Sequence, residues 1–144
     1  IDETPELEGT ISTKDLDFKK YGWEVIPYQQ PLAVNGVYYC HNYPTGIMGK
    51  PISGDSIARS LLLKNKVSST VGHCHLLDYS LCTVPSGKKV IGLSAGCYLH
   101  HQEEYARNTQ RMWWSGLIVK RNVNQGEYDL ETVQYNTVRR RYGR

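Results

Sequence analysis

Apolar and polar residues alternate along this chain in short runs that predict strands, and one stretch has helical spacing. Residues 32–41 predict two strands, or one bent strand, around Asn35-Gly36, because an Asn-Gly pair favours the tight turn of a hairpin. Residues 57–64 place apolar side chains three and four positions apart, as one face of a helix does. We expect Ser53 or Asp55 to cap this helix, with Asp55 preferred.

The second half of the chain predicts mainly strands. We expect them at residues 68–71, 76–84 and 89–93, followed by a hairpin of residues 113–123 and 127–135. The polar residues 98–112 predict a short helix, and the small residues 92–97 favour close approach to another backbone. The order strand, helix, strand predicts an α/β fold.

Length and composition fit one domain, since 144 residues can bury a real core. Residues 1–30 predict a connecting segment, and residues 136–144 predict a basic tail. No apolar run is long enough to cross a membrane and no signal-peptide pattern opens the chain, which predicts a cytoplasmic protein with no membrane partner. Because the first residue is Ile1 rather than methionine, we also expect a processed or truncated chain.

The net charge is +3, and the charged residues are unevenly distributed along the chain. Seven of the fourteen acidic residues precede position 25, and the chain closes with four arginines within residues 139–144. Such a run can neutralise the phosphates of a nucleic acid. The interpretation we favour is a solvated terminus, or one that contacts an acidic partner.

Three histidines follow predicted strands. His41 ends the run Val37-Tyr38-Tyr39-Cys40-His41, whereas His73 and His75 belong to Gly72-His73-Cys74-His75. In an extended backbone, side chains two positions apart point to one face with Cα atoms about 6.5–7 Å apart. This spacing suits two metal ions held side by side, so the pattern predicts a dinuclear metal site.

Other metal patterns are weaker. We expect the four cysteines to be reduced, and the alternative is one structural zinc held by Cys40, Cys74, Cys82 and a histidine. Residues 100–104 combine two histidines with two glutamates, but a solvated helix face explains them better than a metal motif.

The histidine motifs resemble the C-terminal half of the calcineurin-like metallophosphoesterases, in particular members encoded by phages and bacteria. The resemblance covers residues 25–135 and depends on His41 after a strand, a helix, and then a strand that ends in Gly72-His73-Cys74-His75. It implies an α/β fold, a mixed β-sandwich flanked by helices, of which this chain forms the C-terminal half.

The resemblance also implies a function. His41 and His73 would bind one divalent metal ion and His75 a second, the ions being Mn, Fe, Zn or Ni. The chemistry would be hydrolysis of a phosphomonoester or phosphodiester, with nucleic acid among the substrates. No catalytic side chain is assigned, and no substrate-binding residue.

The ligand motifs of the family's first half, D-x-H, G-D-x-x-D and G-N-H-[DE], do not occur in this sequence. One interpretation is that a missing N-terminal half or a partner chain supplies them, in which case an enzyme results. A second is an inactive binding or structural module that contacts nucleic acid or a protein partner. A third is that the resemblance is accidental and the histidines are ordinary side chains.

Overall fold

The computed structural model describes residues 16–45, 47–100 and 103–143. Its strands and helices, in chain order, are β1 (Leu32–Val34), β2 (Val37–Tyr39), β3 (Pro44–Thr45), β4 (Lys50–Pro51), α1 (Ile57–Asn65), β5 (Ser69–Val71), β6 (Leu77–Thr83), β7 (Lys89–Ala95), a 3₁₀ segment (Glu104–Met112), β8 (Gly116–Asn124), β9 (Glu127–Gln134) and α2 (Tyr135–Tyr142). The fold is mixed α/β, as the sequence predicts. Among the described residues, no helix has the length and apolar character needed to span a membrane.

The main sheet has five strands in the order β1-β2-β5-β7-β6. The central strands β2, β5 and β7 run parallel, whereas β1 and β6 are antiparallel to their neighbours. The carboxyl ends of the three parallel strands therefore meet at one edge of the sheet, which is where open α/β sheets gather functional groups. The strands β1 and β2 form the hairpin predicted around Asn35-Gly36, whose residues both have positive φ.

Helix α1 covers one face of the sheet and confirms the predicted helix. Its buried side chains Ile57 and Leu61 pack with Val71 of β5. The helix lies so close to β7 that a Cβ on Gly92 would stand 2.1 Å from the carbonyl oxygen of Ala58. Gly92 is one of the small residues predicted to permit close approach, and the structure uses it for that purpose.

The amino terminus of α1 is capped by a residue of strand β6. The prediction of a local cap by Ser53 or Asp55 is therefore wrong. The residue at the cap position is Ser56, whose side chain makes no capping hydrogen bond. Instead, the backbone N–H of Ala58 donates to Oδ2 of Asp78 on β6, at 2.8 Å. The sequence could not reveal this cap because the acceptor is 20 positions away.

The hairpin β8–β9 covers the opposite face of the sheet. Successive strand residues point to opposite faces. Accordingly, Ser69 accepts a hydrogen bond from Asn65 of α1, whereas Thr70 accepts one from Lys120 of β8. The buried cluster on the hairpin side joins Val37, Ile91 and Tyr128. A helix, a sheet and a two-stranded layer thus stack in that order.

Two predicted boundaries differ from the structure. Residues expected in a basic tail form helix α2 directly after β9. The last hairpin begins at Gly116 rather than at Trp113, since the N–H groups of Trp113 and Trp114 donate to the carbonyls of Gln110 and His75 instead of to a neighbouring strand.

Candidate functional site

His41 and His73 come together because β2 and β5 are parallel neighbours. Each histidine lies two positions beyond the end of its strand. The carbonyl oxygen of His41 accepts hydrogen bonds from the N–H groups of Gly72 and His73, at 3.3 Å and 3.1 Å. The two loops are therefore tied to each other at the carboxyl edge of the sheet.

The side chains of these two histidines also touch. Nε2 of His41 lies 3.0 Å from Nδ1 of His73, and the ring centroids are 5.0 Å apart at an interplanar angle of 76°. Both residues are exposed to solvent. One ring donates an N–H to the other, and the tautomers decide which ring is the donor.

His75 lies near this pair in a conformation that the sequence did not predict. Its φ is 56°, in the left-handed region, and its N–H donates to the carbonyl of Gly72 at 3.3 Å. The expectation that His73 and His75 share one face of an extended strand is therefore wrong, because the chain turns tightly straight after β5. Positive φ is uncommon for residues other than glycine, and Asn, Asp and His adopt it more often than other side chains do.

The ring of His75 packs edge to face on Trp113, with centroids 4.2 Å apart at 86°. Burial lowers the pKa of His75, the positive charges that His73 and His41 can carry lower it further, and Glu103 opposes the shift. This coupling places His75 within electrostatic range of the other two imidazoles. The sequence pattern predicts residue 113 only as the start of the last hairpin, so Trp113 was not expected beside the histidines.

The adjacent Trp114 fixes the position of Trp113. A Cβ on Gly96 would lie 2.5 Å from its ring, and a Cβ on Gly116 would lie 2.6 Å from the opposite part of that ring. Two glycines thus make room for Trp114, as the predicted close approach of residues 92–97 implies. The N–H of Trp114 also donates to the carbonyl of His75 at 3.0 Å, which ties the backbone beside Trp113 to the histidine loop.

The cysteines beside the histidines face the apolar core. The thiol of Cys40 donates to the carbonyl of Asn42 at 2.9 Å, and the thiol of Cys74 donates to that of Ile52 at 3.5 Å. Burial raises the pKa of Cys74, which keeps its sulfur protonated. All four cysteines are free and Cys82 is exposed on β6.

A cleft of ≈ 440 Å³ borders His41. Its walls include Tyr28 from the segment before β1 and Tyr39 from β2. The side chain of Asn42, only 2 % exposed, donates to the hydroxyl of Tyr28 at 3.0 Å and accepts from Gln29 at 3.1 Å. Sequence reasoning missed Asn42, whose one signal is its position directly after His41.

The remaining histidine cluster of the sequence does not form a metal motif in the described residues. His101 and Gln102 lie outside them, and the 3₁₀ segment begins only at Glu104. His100 packs against Tyr135 with centroids 5.4 Å apart. Within residues 16–45, 47–100 and 103–143, no three His, Cys, Asp or Glu side chains are arranged to hold one metal ion.

Comparisons of the chain with protein-family models, with curated proteins and with solved structures gave no match. The likeness to metallophosphoesterases therefore depends on the histidine motifs and on their order along the chain. The geometry of the site is therefore the evidence that bears on function.

Proposed function

We propose that this chain supplies the imidazole ligands of a dinuclear metallophosphoesterase. The observation that carries the proposal is the pair His41 and His73, whose ring nitrogens lie 3.0 Å apart at the ends of parallel neighbouring strands. His75, which lies on the same loop as His73, would serve the second ion.

The distance between the two nitrogens fits a shared ion. Two imidazole nitrogens that each lie about 2.1 Å from one metal are about 3.0–3.4 Å apart when the ligand angle is about 90–110°. His41 and His73 are also exposed, so an ion can reach them without unfolding the sheet. Imidazole ligands suit Mn, Fe, Zn or Ni.

Two bound ions would supply a hydroxide nucleophile at neutral pH and neutralise charge on the phosphate. The residues of this chain would hold and orient them. Trp113 would position His75, and the hydrogen bonds from Gly72 and His73 to the carbonyl of His41 would keep the two loops in register. Carboxylate ligands would come from a further segment of polypeptide or from a partner chain.

Exposed apolar side chains support the need for such a covering segment. Tyr21, Trp23 and Tyr28 are 71 %, 68 % and 72 % exposed, and all three residues of the edge strand β1 are exposed. Exposed aromatic side chains and an open strand edge are each typical of surfaces that another chain covers.

The test is a calorimetric titration of the full chain with Co²⁺ or Zn²⁺. We expect binding that His41→Ala and His73→Ala each weaken at least about tenfold, as removal of a ligand does, whereas His100→Ala leaves it unchanged. In the chain joined to the segment that carries the carboxylates, hydrolysis of bis-p-nitrophenyl phosphate should disappear with His73→Ala. Equal metal affinity in wild type and both ligand variants would refute the proposal.

A further inference from the structure

A second groove, lined by aromatic side chains, starts at the candidate site. Its volume is ≈ 420 Å³, and its lining includes His100, Trp113, Trp114, Tyr135, Asn136 and Arg139. Trp113 connects it with the histidines, since the same ring that lines the groove packs on His75 at 4.2 Å. A ligand in this groove would therefore contact Trp113, whose ring touches His75.

The aromatic rings of the groove are held in place. Tyr135 packs edge to face on Tyr98, with centroids 5.2 Å apart at 71°, and it also contacts His100. Trp114 is confined between Gly96 and Gly116. Aromatic rings fixed in this manner can stack on a planar ligand without losing further conformational freedom.

Helix α2 adds positive charge beside the groove, which Arg139 lines. None of its residues is buried, and Arg139, Arg140 and Arg141 occupy its last turn. Within the described part of the chain the ion pair is Arg121 with Glu131, and none of these three arginines joins a carboxylate. One or two basic side chains can stabilise the carboxyl end of a helix. The three arginines are consecutive and point in different directions around α2, so this role does not account for all of them.

We propose that this groove and the arginines of α2 bind single-stranded nucleic acid, with the bases on the aromatic rings and the phosphates on the arginines. Fixed aromatic rings beside a basic surface are the combination by which proteins hold single strands, whereas a duplex hides the faces of its bases. The further statement that the strand is the substrate rests on the proposed function, and its structural support is Trp113, which lines the groove and contacts His75.

The test is fluorescence anisotropy of the full chain with a fluorescein-labelled oligothymidylate of about twelve nucleotides, in low salt with EDTA. We expect the triple variant Arg139→Gln, Arg140→Gln, Arg141→Gln to weaken binding at least about tenfold and to flatten the dependence on salt. The matched control removes three positive charges elsewhere, with Lys64→Gln, Lys88→Gln and Lys89→Gln, and should change affinity less than about twofold.

A second part of the experiment tests whether the bases contribute to binding. An abasic oligonucleotide of equal length should bind more weakly than oligothymidylate, and Trp113→Leu should remove that difference while the far-ultraviolet circular dichroism stays unchanged. Binding of the abasic strand with equal affinity would overturn the proposal, as would an equal loss in the lysine control or the absence of binding at low salt.

The metal site and the nucleic-acid site can be refuted independently of each other. Oligonucleotide binding is measured in EDTA and needs no metal, whereas the metal titration contains no nucleic acid. If the strand binds but His41→Ala and His73→Ala keep full metal affinity, the groove is a nucleic-acid site without the proposed catalytic centre. If metal binds as expected but the strand does not, the centre acts on another phosphoester.

Discussion

Nε2 of His41 lies 3.0 Å from Nδ1 of His73, although 32 positions separate the two residues in the sequence. The contact exists because β2 and β5 are parallel and adjacent, with helix α1 as the connection between them. A single loop could hold two imidazoles close together, but two loops at one sheet edge leave space around them for ligands from a further segment.

The chain alone should not hydrolyse phosphoesters. Two imidazoles on one ion and one on a second leave both ions short of ligands, and within the described residues no three His, Cys, Asp or Glu side chains are arranged to hold one metal ion. We expect no turnover of bis-p-nitrophenyl phosphate with Mn²⁺ above the rate of the His41→Ala, His73→Ala double variant. Turnover that the double variant abolishes would contradict this expectation and would place all necessary ligands in this chain.

Asp78 should stabilise helix α1 from a distance. Its Oδ2 accepts the N–H of Ala58 at 2.8 Å, an N–H that the helix leaves without an internal partner. Asp78→Ala should lower the free energy of unfolding by about 1–2 kcal/mol, the usual cost of a lost cap. Urea denaturation measures this value.

The matched control for the cap is Asp55→Ala. This variant removes the carboxylate that sequence reasoning preferred as a cap, and the structure leaves it exposed before the helix. It should change stability by no more than about 0.5 kcal/mol. If Asp55→Ala cost as much as Asp78→Ala, the cap would be local after all.

Gly92 should tolerate no side chain. A Cβ there would lie 2.1 Å from the carbonyl oxygen of Ala58, so α1 would have to move away from β7. Gly92→Ala should cost about 2–3 kcal/mol in urea denaturation, in the range of overpacked cores. Gly72→Ala is the control, since no atom lies within 4 Å of its Cβ position. A loss at position 72 equal to that at position 92 would show that the cost comes from the strand backbone and not from the contact.

The sequence allowed the α/β class, the order of β1, β2, α1 and β5 to β9, and the meeting of His41 with His73 to be predicted, but not β3, β4 or α2. These features follow from local signals: Asn35-Gly36 marks a hairpin, helical spacing marks α1, and two histidines each follow a strand. Parallel pairing of the strands on either side of a helix then brings their carboxyl ends together.

The features that escaped prediction are long-range or depend on backbone geometry. The cap from Asp78 joins residues that only the sheet brings together. The left-handed φ of His75 depends on the hydrogen bonds at the end of β5, and a histidine gives little local signal for it. The helix at residues 135–142 is rich in arginine and has no buried face, so no apolar periodicity could reveal it.

Lys120 should make stability depend on pH above neutrality. Its Nζ lies in the layer between sheet and hairpin, 2.6 Å from Oγ1 of Thr70 and over the rings of Tyr39 and Tyr128 at 4.2 Å and 4.7 Å. Burial lowers the pKa of Lys120 from 10.5 to about 8. The groups that face it are neutral in this range, because burial raises the pKa of both tyrosines.

The direction of this pH dependence follows from the number of protons that the folded and unfolded states bind. Below pH 8 the amine is protonated in the folded and unfolded states, and the folded state bears the cost of a partly buried charge. Between about pH 8 and 10 the unfolded chain binds more protons, so the free energy of unfolding rises with pH. Since solvent still reaches the group and the two rings favour its charged form, we expect a gain of about 1–2 kcal/mol over this interval.

Lys120→Met isolates this contribution, because the other titrating groups are common to both proteins. Urea denaturation at pH 6, 7, 8, 9 and 10 should give a difference in unfolding free energy, wild type minus variant, that changes little up to about pH 7 and increases toward pH 10. A difference that falls with pH would mean that the folded state favours the ammonium. In that case the two tyrosine rings would outweigh the cost of burying it, and the interface of sheet and hairpin would be held by the cation.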